Sequence, residues 1–182
     1  MKKYLLASVA LALSLGVAHA GDSKFDGVYG GVNATYGSGK STDVDVDGFG
    51  GGAFGGYGKT FGNWYVGGEL NADFSKADGK EGGVTVEKKY SYGIAARAGY
   101  LLNDKILGYG VVGWERGKFE AKDATDKVSE ELNGIRVGLG VETFVQKNIS
   151  LRGELNYIDW KGKDDFGNGH EYRANVGVAY HF

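Results

Sequence analysis

The sequence predicts an all-β fold: an eight-stranded, antiparallel, up-and-down β-barrel that crosses a membrane. Beyond residue 20, apolar and polar residues alternate in segment after segment, which is the period of a strand with one apolar and one polar face. Polar breaks, alternately short and long, separate these segments. The segment 172–182 (YRANVGVAYHF) alternates almost without exception. Tight turns at one end and longer loops at the other are typical of transmembrane barrels.

The first 20 residues predict a cleaved secretory signal peptide, which leaves residues 21–182 as the barrel domain. Lys2 and Lys3 form the charged start, residues 4–18 are apolar, and Ala18-His19-Ala20 matches a cleavage site. The apolar run is shorter than the ~20 residues that a membrane-spanning helix needs. We therefore expect export across the inner membrane.

The composition excludes several classes of function. Removal of Lys2 and Lys3 leaves 19 basic against 23 acidic residues, a net charge of −4, with no basic stripe for nucleic acid. Cysteine is absent, which excludes disulfides and thiolate metal sites. The 34 glycines show no collagen period and occur with 13% aromatic residues, a combination that argues against disorder.

Three tight connections and four long ones divide the chain into eight strands. The tight connections are Gly62-Asn63, Asn103-Asp104 and 146–148, all turn-forming residues. The long connections, rich in Gly, Asp, Lys and Ser, are 37–48, 75–89, 117–131 and 161–171. The predicted strands are 25–36, 49–61, 64–74, 90–102, 105–116, 132–145, 149–160 and 171–182. Each exceeds or matches the ~9–11 tilted residues that cross a bilayer.

The two faces separate clearly in most strands. In the third strand, apolar Trp64 and Leu70 alternate with polar Glu69 and Asp73, and the fourth, sixth, seventh and eighth strands follow the same pattern. The second and fifth strands are too rich in glycine for the sequence to assign their faces. A soluble lipocalin-like barrel would turn the apolar face inward around a ligand. Alternation alone therefore does not tell which face points into the barrel.

Aromatic residues near both strand ends favour an apolar face turned toward lipid. Rings at two levels suit the two membrane interfaces, where an amphipathic ring contacts both water and hydrocarbon. Toward the tight turns lie Phe25, Phe61, Trp64, Tyr100, Phe144, Tyr180 and Phe182. Toward the long loops lie Tyr36, Phe49, Phe74, Tyr92, Trp114, Tyr157 and Tyr172.

The charges on the polar face also favour a polar face turned toward the lumen, because they are mixed and nearly balanced. The interior of an eight-stranded barrel is just filled by side chains, and arginines paired with carboxylates can fill it while satisfying one another. We therefore predict a charge network that plugs the lumen. Its members are Glu69, Asp73, Arg97, Arg136, Glu142, Arg152, Glu154 and Arg173.

The chain resembles the small eight-stranded outer-membrane barrels: the transmembrane domain of outer membrane protein A and the opacity or porin-like surface antigens. The resemblance covers residues 25–182 and is carried by 50–59 (GGGAFGGYGK), 65–73 (YVGGELNAD), 134–142 (GIRVGLGVE) and 172–182. It implies an outer-membrane location in a Gram-negative bacterium and contact with outer-membrane lipid and lipopolysaccharide. By analogy with outer membrane protein A, Glu69 should pair with at least one interior arginine.

The resemblance also concerns how the barrel is assembled and anchored. It implies that Tyr180 and Phe182 form the signal read by the barrel-assembly machinery, to which periplasmic chaperones would deliver the chain. Outer membrane protein A carries a peptidoglycan-binding domain beyond its barrel, whereas this sequence shows neither that domain nor a proline-rich linker. We therefore do not expect a cell-wall tether.

Motifs for ligands are weak. Asp43-x-Asp45-x-Asp47-Gly48 matches the first half of a calcium loop, but Phe54 stands where the bidentate Glu belongs. An acidic, solvated loop is the preferred interpretation, with weak Ca²⁺ binding as the alternative. The glycine motifs at 50–55 and 108–113 fit the dinucleotide fingerprint but open no helix. No cofactor is expected.

Catalysis is not expected either. Only His170 and His181 follow the signal peptide, and we expect His181 at the tight-turn rim, away from any hydroxyl. The predicted function is a non-enzymatic outer-membrane anchor that presents four surface loops to host or surface partners. The alternatives are a small-solute or ion pore, a lipid-modifying outer-membrane enzyme, and a soluble carrier.

Overall fold

Alternation of apolar and polar residues produces eight paired strands that close into one antiparallel barrel. The computed structural model describes residues 23–41, 44–81, 84–122, 127–161 and 169–182. Each strand pairs with its neighbours in chain order, and β8 returns to pair with β1. The predicted fold class is confirmed. The strands are β1 (Gly27–Ser41), β2 (Val44–Phe61), β3 (Trp64–Glu81), β4 (Val84–Asn103), β5 (Ile106–Lys122), β6 (Lys127–Phe144), β7 (Ile149–Lys161) and β8 (Gly169–His181).

The predicted signal peptide, 1–20, lies outside the described residues. Among the residues that the structure describes, no helix is long and apolar enough to span a membrane.

The tight-turn ends of the strands agree closely with the sequence prediction. β2 ends at Phe61 and β3 begins at Trp64, as predicted. Gly62 between them has a φ of +62°, in the left-handed region that glycine enters without steric cost.

The predicted loops 37–48, 75–89 and 117–131 are wrong in extent, because strand pairing continues through most of them. β1 and β2 pair out to Ser41 and Val44, and the next two hairpins continue in the same way. An antiparallel partner satisfies the backbone hydrogen bonds whether or not the strand has an apolar face. Only the fourth loop, 161–171, approximates the connection between β7 and β8.

The apolar face of the barrel points outward. Leu70 and Val176 are 63% and 68% exposed, whereas Glu69 is 3% exposed. An apolar wall around a polar interior belongs in lipid. Most rings assigned to the two membrane interfaces are exposed, but Phe25 and Phe144 are buried inside the barrel at its tight-turn end. Assigning those two to the membrane belt was wrong, because Phe144 lies on the inward-facing side of β6 and Phe25, which precedes β1, packs against it.

The structure also shows which face of the two glycine-rich strands, β2 and β5, points inward. In β2, Phe54 points inward and Tyr57 outward; in β5, Tyr109 points inward and Trp114 outward. Inward glycines make room for large rings, since a Cβ on Gly140 would collide with the ring of Tyr109. Tyrosines can therefore lie across the lumen.

Candidate functional site: the barrel interior

The centre of the interior is a layer of paired charges. Glu69 on β3 accepts two hydrogen bonds from Arg152 on β7, at 2.6 and 3.1 Å. The Tyr29 hydroxyl donates to the same carboxylate at 3.1 Å. The Arg152 guanidinium lies over the ring of Phe54, 3.3 Å from its centroid. Opposite walls of the barrel are thereby joined across the lumen.

Arg97 connects this pair to a second acid. Its guanidinium lies 3.5 Å from Glu69 and 2.7 Å from Glu142, and it stacks 3.9 Å above the ring of Tyr109. Its side chain is almost completely buried. A buried guanidinium needs such acids and aromatic faces to replace its hydration.

The tight-turn end of the interior holds a small cluster that the sequence analysis missed. Nε2 of His181 lies 2.9 Å from Glu142 and 3.1 Å from the Ser150 hydroxyl. The expectation that His181 lies away from any hydroxyl was therefore wrong, because pairing of β7 with β8 brings Ser150 beside it. Ser150 and Glu142 both contact the same ring nitrogen, whereas a catalytic triad places its hydroxyl and its acid on opposite ring nitrogens.

Aromatic side chains cover this cluster toward the tight turns. Phe25 packs edge-on against Phe144, with ring centroids 4.9 Å apart, and Phe144 lies 4.7 Å from the ring of His181. Tyr65 and Leu107 belong to the same buried apolar group. This group, called the aromatic cap below, fills the lumen at the tight-turn end.

Asp26 holds the start of β1 against the end of β2. Its carboxylate pairs with Lys59 at 2.8 Å and accepts a hydrogen bond from the Thr60 backbone at 2.7 Å. Burial by itself raises the pKa of Asp26. The hydrogen bonds from Lys59 and Thr60 and the charge of Lys59 outweigh that effect, so the pKa lies below its ordinary value.

The loop end of the interior has its own network, centred on Glu115. This carboxylate is 2.9 Å from Arg136 and 3.1 Å from Arg173. Arg173 also reaches Glu171 at 2.9 Å and Asp73 at 4.0 Å. Glu115 was not predicted because the fifth strand is too rich in glycine for its sequence to assign its faces. Its inward face also carries apolar Leu107 and Val111.

All eight residues assigned to the lumen network are buried, but they form two groups with different partners. Glu69, Arg97, Glu142 and Arg152 meet in the central layer, whereas Arg136, Arg173 and Asp73 meet around Glu115. Glu154 accepts hydrogen bonds from Tyr109 and Asn156. Its partners are neutral, which the sequence did not predict.

The remaining candidate residues lie away from the interior. Asp43 and the side chain of Asp45 fall outside the described residues, Asp47 is exposed, and no group of potential metal ligands occurs in the described part of the chain. Exposed His170 stacks on Tyr157. Tyr180 and Phe182 point outward with their rings 5.0 Å apart, and their role in assembly stays a prediction.

An apolar outer wall around a charged, side-chain-filled interior defines a membrane-spanning β-barrel. The sequence profile of the outer membrane protein beta-barrel domain matches residues 7–182. The chain therefore belongs to this family of outer-membrane barrels, and the predicted resemblance and outer-membrane location are confirmed.

Two bacterial relatives agree with this assignment. The 22 kDa outer membrane protein of Rhizobium leguminosarum bv. viciae is 37% identical over 143 residues, which cover 77% of this chain and 66% of that protein. The chain thus spans just under two thirds of that relative. The 25 kDa outer-membrane immunogenic protein of Brucella ovis is 28% identical over 161 residues, which cover 86% of this chain and 77% of that protein.

Solved structures share the fold. Neisserial surface protein A matches with a TM-score of 0.66 at 16% identity, covering 86% of this chain and 98% of its own. The attachment invasion locus protein Ail of Yersinia pestis matches with a TM-score of 0.63 at 15% identity, covering 86% of this chain and 99% of its own. At these identities the likeness concerns the fold alone.

Proposed function

We propose that the protein is a non-enzymatic outer-membrane anchor that displays its loop-end hairpins at the cell surface while its lumen stays closed to solutes. The observation that carries this proposal is the filled interior, with the aromatic cap at one end and the Glu69–Arg152 layer across the centre. A barrel blocked at two levels offers a solute no continuous path.

The hairpins supply the surface that the proposal requires. From the exposed pair Tyr36 and Phe49, which marks the membrane interface, β1 and β2 continue for five residues to Ser41 and Val44. At ~3.4 Å per residue, this hairpin extends about 17 Å along its strands, which at a tilt of about 40° raises it about 13 Å beyond the interface. The Brucella ovis relative is named an immunogenic protein, which fits display of such hairpins to the outside.

The contacts in the interior support a structural role over a catalytic one. Ser150, His181 and Glu142 share one ring nitrogen, and Ser150 is fully buried. A substrate could reach this hydroxyl only by displacing the aromatic cap. The mixed acidic and basic loops suit contact with lipopolysaccharide, host surfaces or neighbouring proteins without strong selection for one charge sign.

Orientation can be tested by single-cysteine labelling, because the chain contains no cysteine. A membrane-impermeant maleimide on intact cells should label Gly82→Cys, between β3 and β4, and leave Asp104→Cys, in a tight turn, unlabelled. Both variants should react after lysis. Labelling of Asp104→Cys alone on intact cells would overturn the proposed orientation.

Display and closure need two further measurements. Antibodies raised against intact cells should lose binding when the hairpin ends are replaced by short turns, in variants whose unboiled gel mobility shows a folded barrel. Liposomes containing the wild-type protein should not swell in small sugars. Rapid swelling would favour the pore alternative.

A further inference from the structure

The seam between β1 and β8 differs from the other strand pairs at the tight-turn end of the barrel. There, short turns join β2 to β3, β4 to β5 and β6 to β7. β8 and β1 are the last and first of the described strands, so no turn joins them. Their pairing begins at Tyr29 and His181, and the Phe182 amide donates to the Val28 carbonyl at 3.0 Å. This end of the seam is therefore held by non-covalent contacts alone.

The four residues before β1, 23–26, form a tight turn at this end of the barrel and are called the strap below. The Asp26 amide donates to the Ser23 carbonyl at 3.1 Å, and the Phe25 amide donates to the Ser23 hydroxyl at 3.3 Å. Gly27, the first residue of β1, has a φ of +106°, a left-handed backbone that residues with a Cβ rarely adopt. The chain can therefore turn sharply here, and the strap carries Phe25 into the lumen.

Phe25 contacts strands on both sides of the seam. Its side chain is buried, and its ring packs edge-on against three others. The ring centroids of Phe144 on β6 and His181 on β8 lie 4.9 and 6.1 Å away, and that of Tyr65 on β3 lies 6.5 Å away. From β1, strand β3 is reached in one direction around the barrel, and β8 and β6 in the other. One ring therefore bridges the two walls that meet at the seam.

Polar contacts fix the strap on one side of the seam and the end of β8 on the other. Asp26 pairs with Lys59 of β2 at 2.8 Å and accepts a hydrogen bond from the Thr60 amide at 2.7 Å. Across the seam, Asn148 in the turn between β6 and β7 donates to the His181 carbonyl at 2.7 Å and accepts from its amide at 2.9 Å. The strap is thus anchored on β2 and packs against a β8 end that is itself held in place.

We propose that the strap takes the place of a turn at this seam: it docks after β1 and β8 have paired, and it controls how fast the seam reopens. The site for the Phe25 ring is built by Tyr65, Phe144 and His181, on three separate strands, so it is complete only in the closed barrel. Contacts that form after the transition state of folding slow unfolding without speeding folding. The strap therefore sets the kinetic stability of the barrel, whichever way the barrel lies in the membrane.

Unfolding and refolding rates of the protein in detergent, followed by tryptophan fluorescence in urea, test the order of events. Phe25→Ala should unfold about 100-fold faster, as expected for loss of a buried ring whose contacts form late, and should refold within about twofold of the wild-type rate. The milder Asp26→Asn should also unfold faster and refold normally. Phe61→Ala, which removes an exposed ring at the same end, should change neither rate. Slower refolding of Phe25→Ala with unchanged unfolding would overturn the proposal.

A disulfide across the seam tests whether the strap acts there, because the chain contains no cysteine. Val32→Cys/Val178→Cys joins directly paired, outward residues of β1 and β8, about 5.5 Å apart at Cα, a distance that a disulfide spans. When oxidised, it should abolish the faster unfolding caused by Phe25→Ala, and reduction should restore it. The control Leu139→Cys/Leu155→Cys joins β6 to β7 and should leave the effect intact. Fast unfolding that persists in the oxidised seam variant, or that the control disulfide suppresses equally, would overturn the proposal.

Discussion

Glu69 and Arg152 lie 83 residues apart in the chain, on strands that face each other across the barrel, and are joined by two hydrogen bonds. Through its backbone, each strand of the barrel hydrogen-bonds only to its two neighbours. The Glu69–Arg152 pair therefore joins walls that the sheet itself does not connect. Both side chains are buried. Their energetic coupling should therefore be large.

We predict that Glu69→Gln lowers the free energy of unfolding by about 3–5 kcal/mol, because it leaves the Arg152 charge buried without its main partner. The double variant Glu69→Gln/Arg152→Met should cost less than the sum of the two single changes. Urea titration of the refolded protein in detergent, followed by tryptophan fluorescence, measures all three. The control is Glu131→Gln, which breaks the exposed pair with Arg116 and should cost under about 1 kcal/mol. Strict additivity of the single changes would contradict coupling across the lumen.

A side chain at Gly140 should be costly, because an added Cβ would overlap the ring of Tyr109. We predict that Gly140→Ala destabilises the barrel by about 1–3 kcal/mol, the usual cost of overpacking. Gly68→Ala is the matched control, since it faces outward with open space around it and should be neutral or slightly stabilising. The same urea titration measures both, and equal effects would show that the tyrosine moves freely.

The strands are predictable from the sequence where the period of two and a tight turn act together. The turn at Gly62-Asn63 fixes β2 and β3 to the residue, and Glu69 follows from the alternation in β3. The prediction failed at the outer hairpin ends, where pairing continues through segments dominated by polar and charged residues and the apolar alternation is short. The alternation of Val44 with Val46, and of Val84 with Val86, was the available signal.

The sequence predicted which charged residues lie in the interior, but it did not predict which of them contact one another. Glu115 was missed because the many glycines of β5 leave its two faces undefined in the sequence, and β5 turns both charged and apolar side chains inward. Phe144 was misassigned although it shares the period of Arg136 and Glu142, because aromatic residues near strand ends usually mark the interface. Ring packing inside a barrel depends on space left by glycines on other strands, and a single strand's pattern carries no such information.

Asp26 should make the stability of the barrel depend on pH. Its folded pKa lies below its ordinary value of 3.8, so its ionised form stabilises the fold above that pH. This contribution is lost as the pH falls through the folded pKa. We predict that wild type exceeds Asp26→Asn in stability at pH 7 and that the difference shrinks below about pH 4. Urea titrations across pH 3–7 measure this difference, and a constant gap would contradict the role of the carboxylate's charge.

Phe182 should matter more for assembly than for stability. We predict that Phe182→Ala lowers the amount of folded protein in the outer membrane while leaving the urea midpoint of refolded protein nearly unchanged. The control, Phe61→Ala, removes an exposed ring from the same end of the barrel and should assemble normally. Comparison of unboiled and boiled gel bands from membrane fractions quantifies both. Equal membrane levels of the two variants would refute an assembly signal at this residue.

The aromatic cap and the central charge layer should block ions in series. Phe25 and Phe144 close the tight-turn end, whereas Glu69, Arg97 and Arg152 cross the lumen farther in. Opening one barrier leaves the other in place. We therefore predict that Phe25→Ala alone conducts almost as little as wild type in planar bilayers.

The combination should behave differently from either change alone. Phe25→Ala/Glu69→Ala should raise the conductance by more than the sum of the single variants, because ions then meet neither the cap nor the intact layer. Phe61→Ala/Glu69→Ala, which removes an outward ring instead, should conduct no more than Glu69→Ala. A large conductance from Phe25→Ala alone would show that the charge layer does not seal the lumen, and simple additivity in the double variant would rule out two barriers in series.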